Sequence, residues 1–164
     1  MKLYIVRHAI AEERGKNIYV NDDRPLTTIG IRKMKKNAEG IMKIIPSPLR
    51  IISSPLKRAV HTSEIIVSIF KKSISITLSD DLLPNASVEN LVQLCKGHNN
   101  NDIVMFVGHE PSLGKFLSTI LQQKIQSVQL KKGSICCVEF NVEFPKRSTL
   151  LFYIPPRILR TLSR

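Results

Sequence analysis

The chain has no tryptophan, and its 3 tyrosines and 6 phenylalanines bring aromatic residues to only 5% of 164. So few stacking rings argue against a surface built for single-stranded nucleic acid. Cysteine is equally scarce, with 3 residues: Cys95, Cys136 and Cys137. An odd count does not make a disulfide scaffold, and reduced thiols are expected. There is no CxxC and no histidine pair at metal spacing, so no metal and no cofactor are expected. No apolar run approaches the ~18 residues that span a bilayer. The first residues do not read as a basic segment followed by a long apolar core, so no secretory signal is expected. These absences predict a soluble, cytoplasmic protein. Acid is also in short supply. Lys and Arg number 25 against 13 Asp and Glu, a formal net charge of +12. That balance favours anionic partners: phosphorylated molecules, acidic protein faces or nucleic acid. The excess is uneven, since residues 145–164 hold Lys146, Arg147, Arg157, Arg160 and Arg164 and no acid.

What is present is globular. At 43% hydrophobic, 164 residues suit one domain, 1–164, with residues 155–164 either a loose basic tail or a docked one. Leu3-Tyr4-Ile5-Val6 is apolar on both faces and reads as a buried strand over residues 2–7. Polar residues 9–25 read as a loop. A helix follows over 24–45, capped by Thr27 or Thr28, with Met34, Ala38, Ile41 and Ile45 as its apolar stripe. Gly30 and Gly40 count against that helix, and Pro46 and Pro48 end it. A strand at 49–54, a helix opening near Pro55, a short strand at 73–78 and a helix after Ser87 come next. A strong strand over 101–109, a helix over 112–123 and a closing hairpin of strands near 134–140 and 149–154 complete the chain. Alternating strands and helices predict a three-layer α/β/α sandwich around a mostly parallel sheet. Cys136 and Cys137, adjacent in a strand, should point to opposite faces.

Three strands end in the same way. The first runs into Arg7-His8, the second into "SSPLKRAVHT" and the third into "VGHEPSL". If the strands are parallel, their ends meet along one edge of the sheet, where α/β proteins bind ligands. Arg7, His8, Arg58 and His109 then converge as two guanidinium groups and two imidazoles. Arginine's planar fork suits phosphate oxygens. The helix start near Pro55 is a further source of backbone donors. Each motif alone has a plain structural explanation, and the three in this order are far more specific. His61 reads as a solvated helix residue and His98 as part of a polar turn.

With these pieces the chain resembles the histidine phosphatase superfamily, and within it the small SixA-type phosphohistidine phosphatases. The resemblance runs over essentially the whole chain, through "VRHA" at 6–9, "DDRPLTTIG" at 22–30, "ISSPLKRAVHT" at 52–62 and "VGHEPSL" at 107–113. It implies the phosphoglycerate mutase-like fold. It also implies that His8 is the phosphoryl-accepting nucleophile, that Arg7 and Arg58 bind phosphate, and that His109 contacts the phosphate and stabilises the transferring group. The family's Arg-His-Gly has Ala9 in place of glycine here, which a negative φ accommodates. Imidazole, with an ordinary pKa of about 6.5, is largely unprotonated at neutral pH and can attack phosphorus. A protonated His109 would add a donor beside the arginines.

Larger members of the family carry a mid-chain carboxylate that protonates an alkoxide leaving group. Here the matching stretch is "SDDLLPNASVEN", and candidate acids are Asp81, Glu12 and Glu110, with Asp80, Glu89 and Glu13 also in view. No single acid stands out. A phosphohistidine donor leaves as imidazole and needs little acid help, so this gap favours a phosphohistidine phosphatase acting on a phosphorylated protein domain of the histidine-containing phosphotransfer type. The alternatives are a phosphomonoesterase for a small metabolite or nucleotide and a non-catalytic polyanion binder.

Overall fold

Apolar, β-branched segments form the sheet of the computed structural model, which describes residues 1–13, 15, 22–46, 50–70, 73–123 and 128–163. The strands are β1 (Lys2–Arg7), β2 (Arg50–Ser53), β3 (Ser75–Leu78), β4 (Ile103–Gly108), β5 (Ile135–Glu139) and β6 (Thr149–Ile154). They make one six-stranded sheet in the order β3-β2-β4-β1-β5-β6. The first four strands in that order are parallel, β5 runs antiparallel to β1, and β6 runs antiparallel to β5. β1 lies inside the sheet, which explains a strand without a polar face. Tyr4 and Val6 enter one core, Leu3 and Ile5 the other. Cys137 and Cys136 divide between the two cores in the same way, as their adjacency predicts.

Helices cover both faces. On one side lie α1 (Thr28–Ile44), α2 (Lys57–Phe70) and α5 (Pro156–Leu162), with Met34, Ala38, Ile41, Ile66 and Leu159 buried. On the other lie α3 (Val88–Lys96) and α4 (Ser112–Ile120), with Leu91, Phe116, Leu117 and Ile120 buried. This is the expected α/β/α sandwich. Among the described residues no helix is long and apolar enough to cross a membrane.

Local chemistry sets the helix starts. Thr27 Oγ1 accepts from the Gly30 N–H at 2.9 Å, so α1 begins at Thr28 and not at Arg24. Ser87 caps α3 through the Asn90 N–H at 3.1 Å. α2 begins at Lys57, two residues later than the proline suggests, because a distant side chain caps it: Asp23 Oδ1 accepts from the Lys57 N–H at 2.7 Å. Pro48 and residues 14 and 16–21 of the long loop fall outside the described residues.

The two glycines that weaken α1 on propensity are required by contacts. A Cβ at Gly30 would collide with the Ile10 carbonyl, in the segment following His8. A Cβ at Gly40 would collide with the Leu159 carbonyl of α5. The basic C-terminal segment is therefore docked: Leu159 is fully buried against α1, and Gly40 is what lets the two helices come that close. Gly40→Ala should destabilise the fold by ~1–3 kcal/mol, the usual range for forced overpacking, despite alanine's better helix propensity. Urea unfolding of the variant checks this, and an increase in stability would contradict the close packing of α5.

Candidate active site

Backbone hydrogen bonds level three strand ends. The His8 N–H donates to the Gly108 carbonyl at 3.0 Å, and the Ser54 N–H to the Val107 carbonyl at 2.9 Å. Parallel β1, β2 and β4 thus deliver Arg7-His8, Ser54 and His109 to one edge, and the first turn of α2 adds Arg58. The two rings lie side by side, His8 and His109 with centroids 4.9 Å apart. Thr62 ties α2 to the segment after β1. Its hydroxyl donates to the Arg58 carbonyl at 2.6 Å and accepts from the Ala9 N–H at 3.0 Å. Ala9 is not among the residues with positive φ, so the missing glycine costs no backbone strain.

The His8 tautomer follows from its partner. His8 Nδ1 lies 2.7 Å from the Ala9 carbonyl, which can only accept. Nδ1 therefore carries the proton and Nε2 carries the lone pair, as a nucleophile requires. His109 Nε2 lies 2.8 Å from Ser54 Oγ, which also accepts from the Leu56 N–H at 3.4 Å. The hydroxyl is able both to donate to Nε2 and to accept from it, and buried Nδ1 has no hydrogen-bond partner among the described residues. Arg7 Nε is buried and unmatched in the same way, while its Nη1 donates to the Leu130 carbonyl at 2.7 Å. Donors of this kind are costly unless a ligand uses them.

Burial sets the protonation. His8 is 5% exposed and His109 1%. Desolvation first, then the charges of Arg58, Arg7 and Lys132, pull His8 down to about 3, against the opposing pull of the Ala9 carbonyl. Desolvation, then His8, Arg58 and Arg7, pull His109 down to about 2, with Asp22 opposing. Both rings are neutral at ordinary pH. The protonated His109 that would add a donor beside the arginines is therefore disfavoured by its burial.

Arg58 is 1% exposed, and its charge is matched by Asp22. Nη2 lies 3.2 Å from Asp22 Oδ2, and Nη1 donates to the Asp22 carbonyl. Asp22 Oδ1 accepts from Arg24 Nε at 2.6 Å. Asp22 takes a left-handed backbone, φ 59°, which aspartate tolerates better than most residues. Neither Asp22 nor Arg24 was assigned a role from sequence, although both lie in "DDRPLT". Their signal was a charge cluster at the end of a loop, and nothing in the sequence connects it to Arg58, 36 positions away from Asp22.

Two of the candidate acids, Glu110 and Asp81, have side-chain hydrogen-bond partners, and Glu12 is placed through its backbone. Glu110 Oε1 accepts from the Leu130 N–H at 2.8 Å, and its charge acts on Arg7. Asp81 accepts from Asn90 Nδ2 at 2.9 Å and from Ser79 Oγ at 3.2 Å. Glu12 is held by its backbone, between the Arg24 guanidinium and the Pro25 carbonyl. Two amides at the start of α2 already have acceptors: Asp23 takes the Lys57 N–H and Ser54 the Leu56 N–H. His61 lines a separate groove with Asp23 and Lys57, and His98 pairs with Asp102 at 3.6 Å. Among the described residues no three His, Cys, Asp or Glu side chains are grouped to hold a metal.

Two buried neutral histidines have a consequence for stability. An unfolded histidine takes up its proton near pH 6.5, whereas His8 and His109 resist it until far lower. Over that interval the unfolded state binds more protons, so stability falls as pH falls. Denaturation midpoints followed between about pH 7 and pH 4 should decline, and a His8→Asn, His109→Asn double variant should decline less. Equal slopes would contradict the burial argument.

The family model of the histidine phosphatase superfamily (branch 1) matches residues 3–83, which include Arg7, His8 and Arg58. An uncharacterized protein of Picosynechococcus sp. is 33% identical over 139 residues, covering 82% of this chain and 82% of its own length. Among solved structures, the protein histidine phosphatase SixA complexed with tungstate superposes with a TM-score of 0.83 at 21% identity, covering 97% of this chain and 99% of that one. The α-ribazole phosphatase of Shigella flexneri gives 0.75 at 16% identity over 95% and 97% of the two chains. The phosphoserine phosphatase of Entamoeba histolytica, in complex with 3-phosphoglyceric acid, gives 0.68 at 19% identity over 93% and 95%. With its strand-end histidines and arginines in this arrangement, the chain belongs to the histidine phosphatase superfamily.

Proposed function

We propose that this phosphatase removes phosphate from a histidine-phosphorylated protein, with His8 as the nucleophile. His8 Nε2 attacks phosphorus as the bond from phosphorus to the donor nitrogen breaks, and the donor ring, already protonated by solvent on its other nitrogen, leaves as neutral imidazole. A water molecule then attacks the phosphoryl group on His8. The bond to Nε2 breaks, inorganic phosphate leaves, and the water's proton returns to solvent. Arg7 and Arg58 hold the phosphoryl oxygens, and the unmatched His109 Nδ1, in the tautomer that protonates it, is a third donor to them.

One observation carries the choice of substrate. Asp22 is the carboxylate whose charge acts on His109, and both its oxygens accept from guanidinium groups, Oδ1 from Arg24 and Oδ2 from Arg58. Oxygens used in that way have no proton to give. An alkoxide leaving group needs one, and imidazole leaves well without it. The basic surface, net +12, supports docking of an acidic protein face.

The test compares a histidine-phosphorylated carrier domain and phosphoramidate with glycerol phosphate. Positioned acids contribute ~10²–10⁴ in rate, so the alkyl ester should be turned over at least about a hundredfold more slowly than the phosphoramidates. Comparable kcat/KM for the ester would overturn the reading in favour of a small-molecule phosphomonoesterase. Arg7→Ala and Arg58→Ala should each lower kcat/KM by ~10²–10³, the range for losing one charge-stabilising donor.

A further inference from the structure

A cavity of about 110 Å³ begins at Ala9, the residue after the proposed nucleophile. Its walls carry Lys33 of α1, Lys132 of the segment before β5, and Arg160 of α5, and among the described residues no Asp or Glu lines it. The walls are built. Asn37 Nδ2 donates to the Gly133 carbonyl at 3.1 Å, and Asn37 Oδ1 accepts from Arg160 Nη1 at 3.2 Å. The Gly133 N–H donates to the carbonyls of Arg7 at 2.9 Å and His8 at 3.2 Å, so Lys132 is next to a residue stitched to the catalytic strand. Gly133 sits at φ +76°, and a Cβ there would meet Asn37 at 2.7 Å, so glycine is required at this junction. The field is continuous with the phosphate cradle: Lys132 acts on His8, and Arg7, Arg24 and Arg58 act on Lys132.

Three cations around a cavity with no acid repel one another, and an anion offsets that cost. The volume has room for roughly three or four water-sized groups, at ~30 Å³ each, which is the size of a carboxylate or phosphate group. The geometry points to a second anion subsite, formed by Lys33, Lys132 and Arg160, that binds a carboxylate or phosphate carried by the substrate beside the phosphoryl group being transferred. Building on the function proposed above, this anion is an acidic side chain flanking the phosphorylated histidine of the partner. The docked C-terminal helix then has a role, since it supplies Arg160.

Three substrate sets test this. The first is phosphoramidate, which has no second anion. The second is a pair of phosphohistidine peptides, one with glutamate and one with glutamine beside the histidine. The third is 3-phosphoglycerate against glycerol phosphate. The wild type should favour the acid-bearing member of a pair by roughly five- to tenfold in KM, in line with a few partly exposed charge pairs. Lys33→Gln should bring that ratio towards one while leaving kcat/KM for phosphoramidate unchanged, and Arg160→Gln should do the same from the opposite wall. Should the peptides fail as substrates while the phosphoglycerate pair shows a Lys33-dependent preference, the subsite stands and the phosphohistidine reading falls. No preference in either pair, or an equal loss on phosphoramidate, overturns the subsite whatever the substrate proves to be.

Discussion

The burial of the Arg58 charge is the constraint on which the site depends. A guanidinium 1% exposed cannot rely on water, and its position on the first turn of α2 is stable only because Asp22 comes to meet it. That need explains several features at once. The loop ends in a left-handed aspartate, Arg24 grips the same carboxylate from the other side, and neighbouring Asp23 caps α2 at Lys57. One acidic pair in a strongly basic chain thus places two arginines and a helix start.

The second constraint is desolvation of the histidines. Packed between strand ends and fixed through Ala9 and Ser54, His8 and His109 are kept neutral, and the Ala9 carbonyl sets the tautomer of His8. His8 presents the Nε2 lone pair, and His109 an unpartnered Nδ1 beside it. The same water exclusion that makes the site expensive to build also strengthens every charge within it. The surrounding fold then brings backbone very close to backbone at Gly30 and Gly40, which sets α1 against the segment after His8 and against α5, while Gly133 leaves room for the Asn37 side chain.

Much of this was legible in the residues. Apolar runs ending in Arg7-His8, Ser54 and His109 predicted parallel strands with a shared edge, because a buried strand can carry such groups only at its end. The helices were legible from their stripes, and the hairpin from Pro145 and its charges. What was not legible is what depends on contact between distant segments. Gly30 and Gly40 looked like flaws in α1 because propensity is local, while their purpose is to admit Ile10 and Leu159. The docking of α5 turns on that space. The pairing of Asp22 with Arg58 and the capping of α2 by Asp23 join a loop to a helix far along the chain. Glu110 looked like a candidate acid because it adjoins His109, yet its side chain serves the Leu130 amide.

The central claim is that His8 Nε2 carries the phosphoryl group between donor and water. Rapid acid-free quenching of the enzyme with a radiolabelled phosphohistidine carrier measures this directly. The account predicts transient label on the enzyme, stable to base, labile to acid and mapping to His8, with neither label nor released phosphate in His8→Ala. Steady release of phosphate with no labelled enzyme, or by His8→Ala at the wild-type rate, would contradict it.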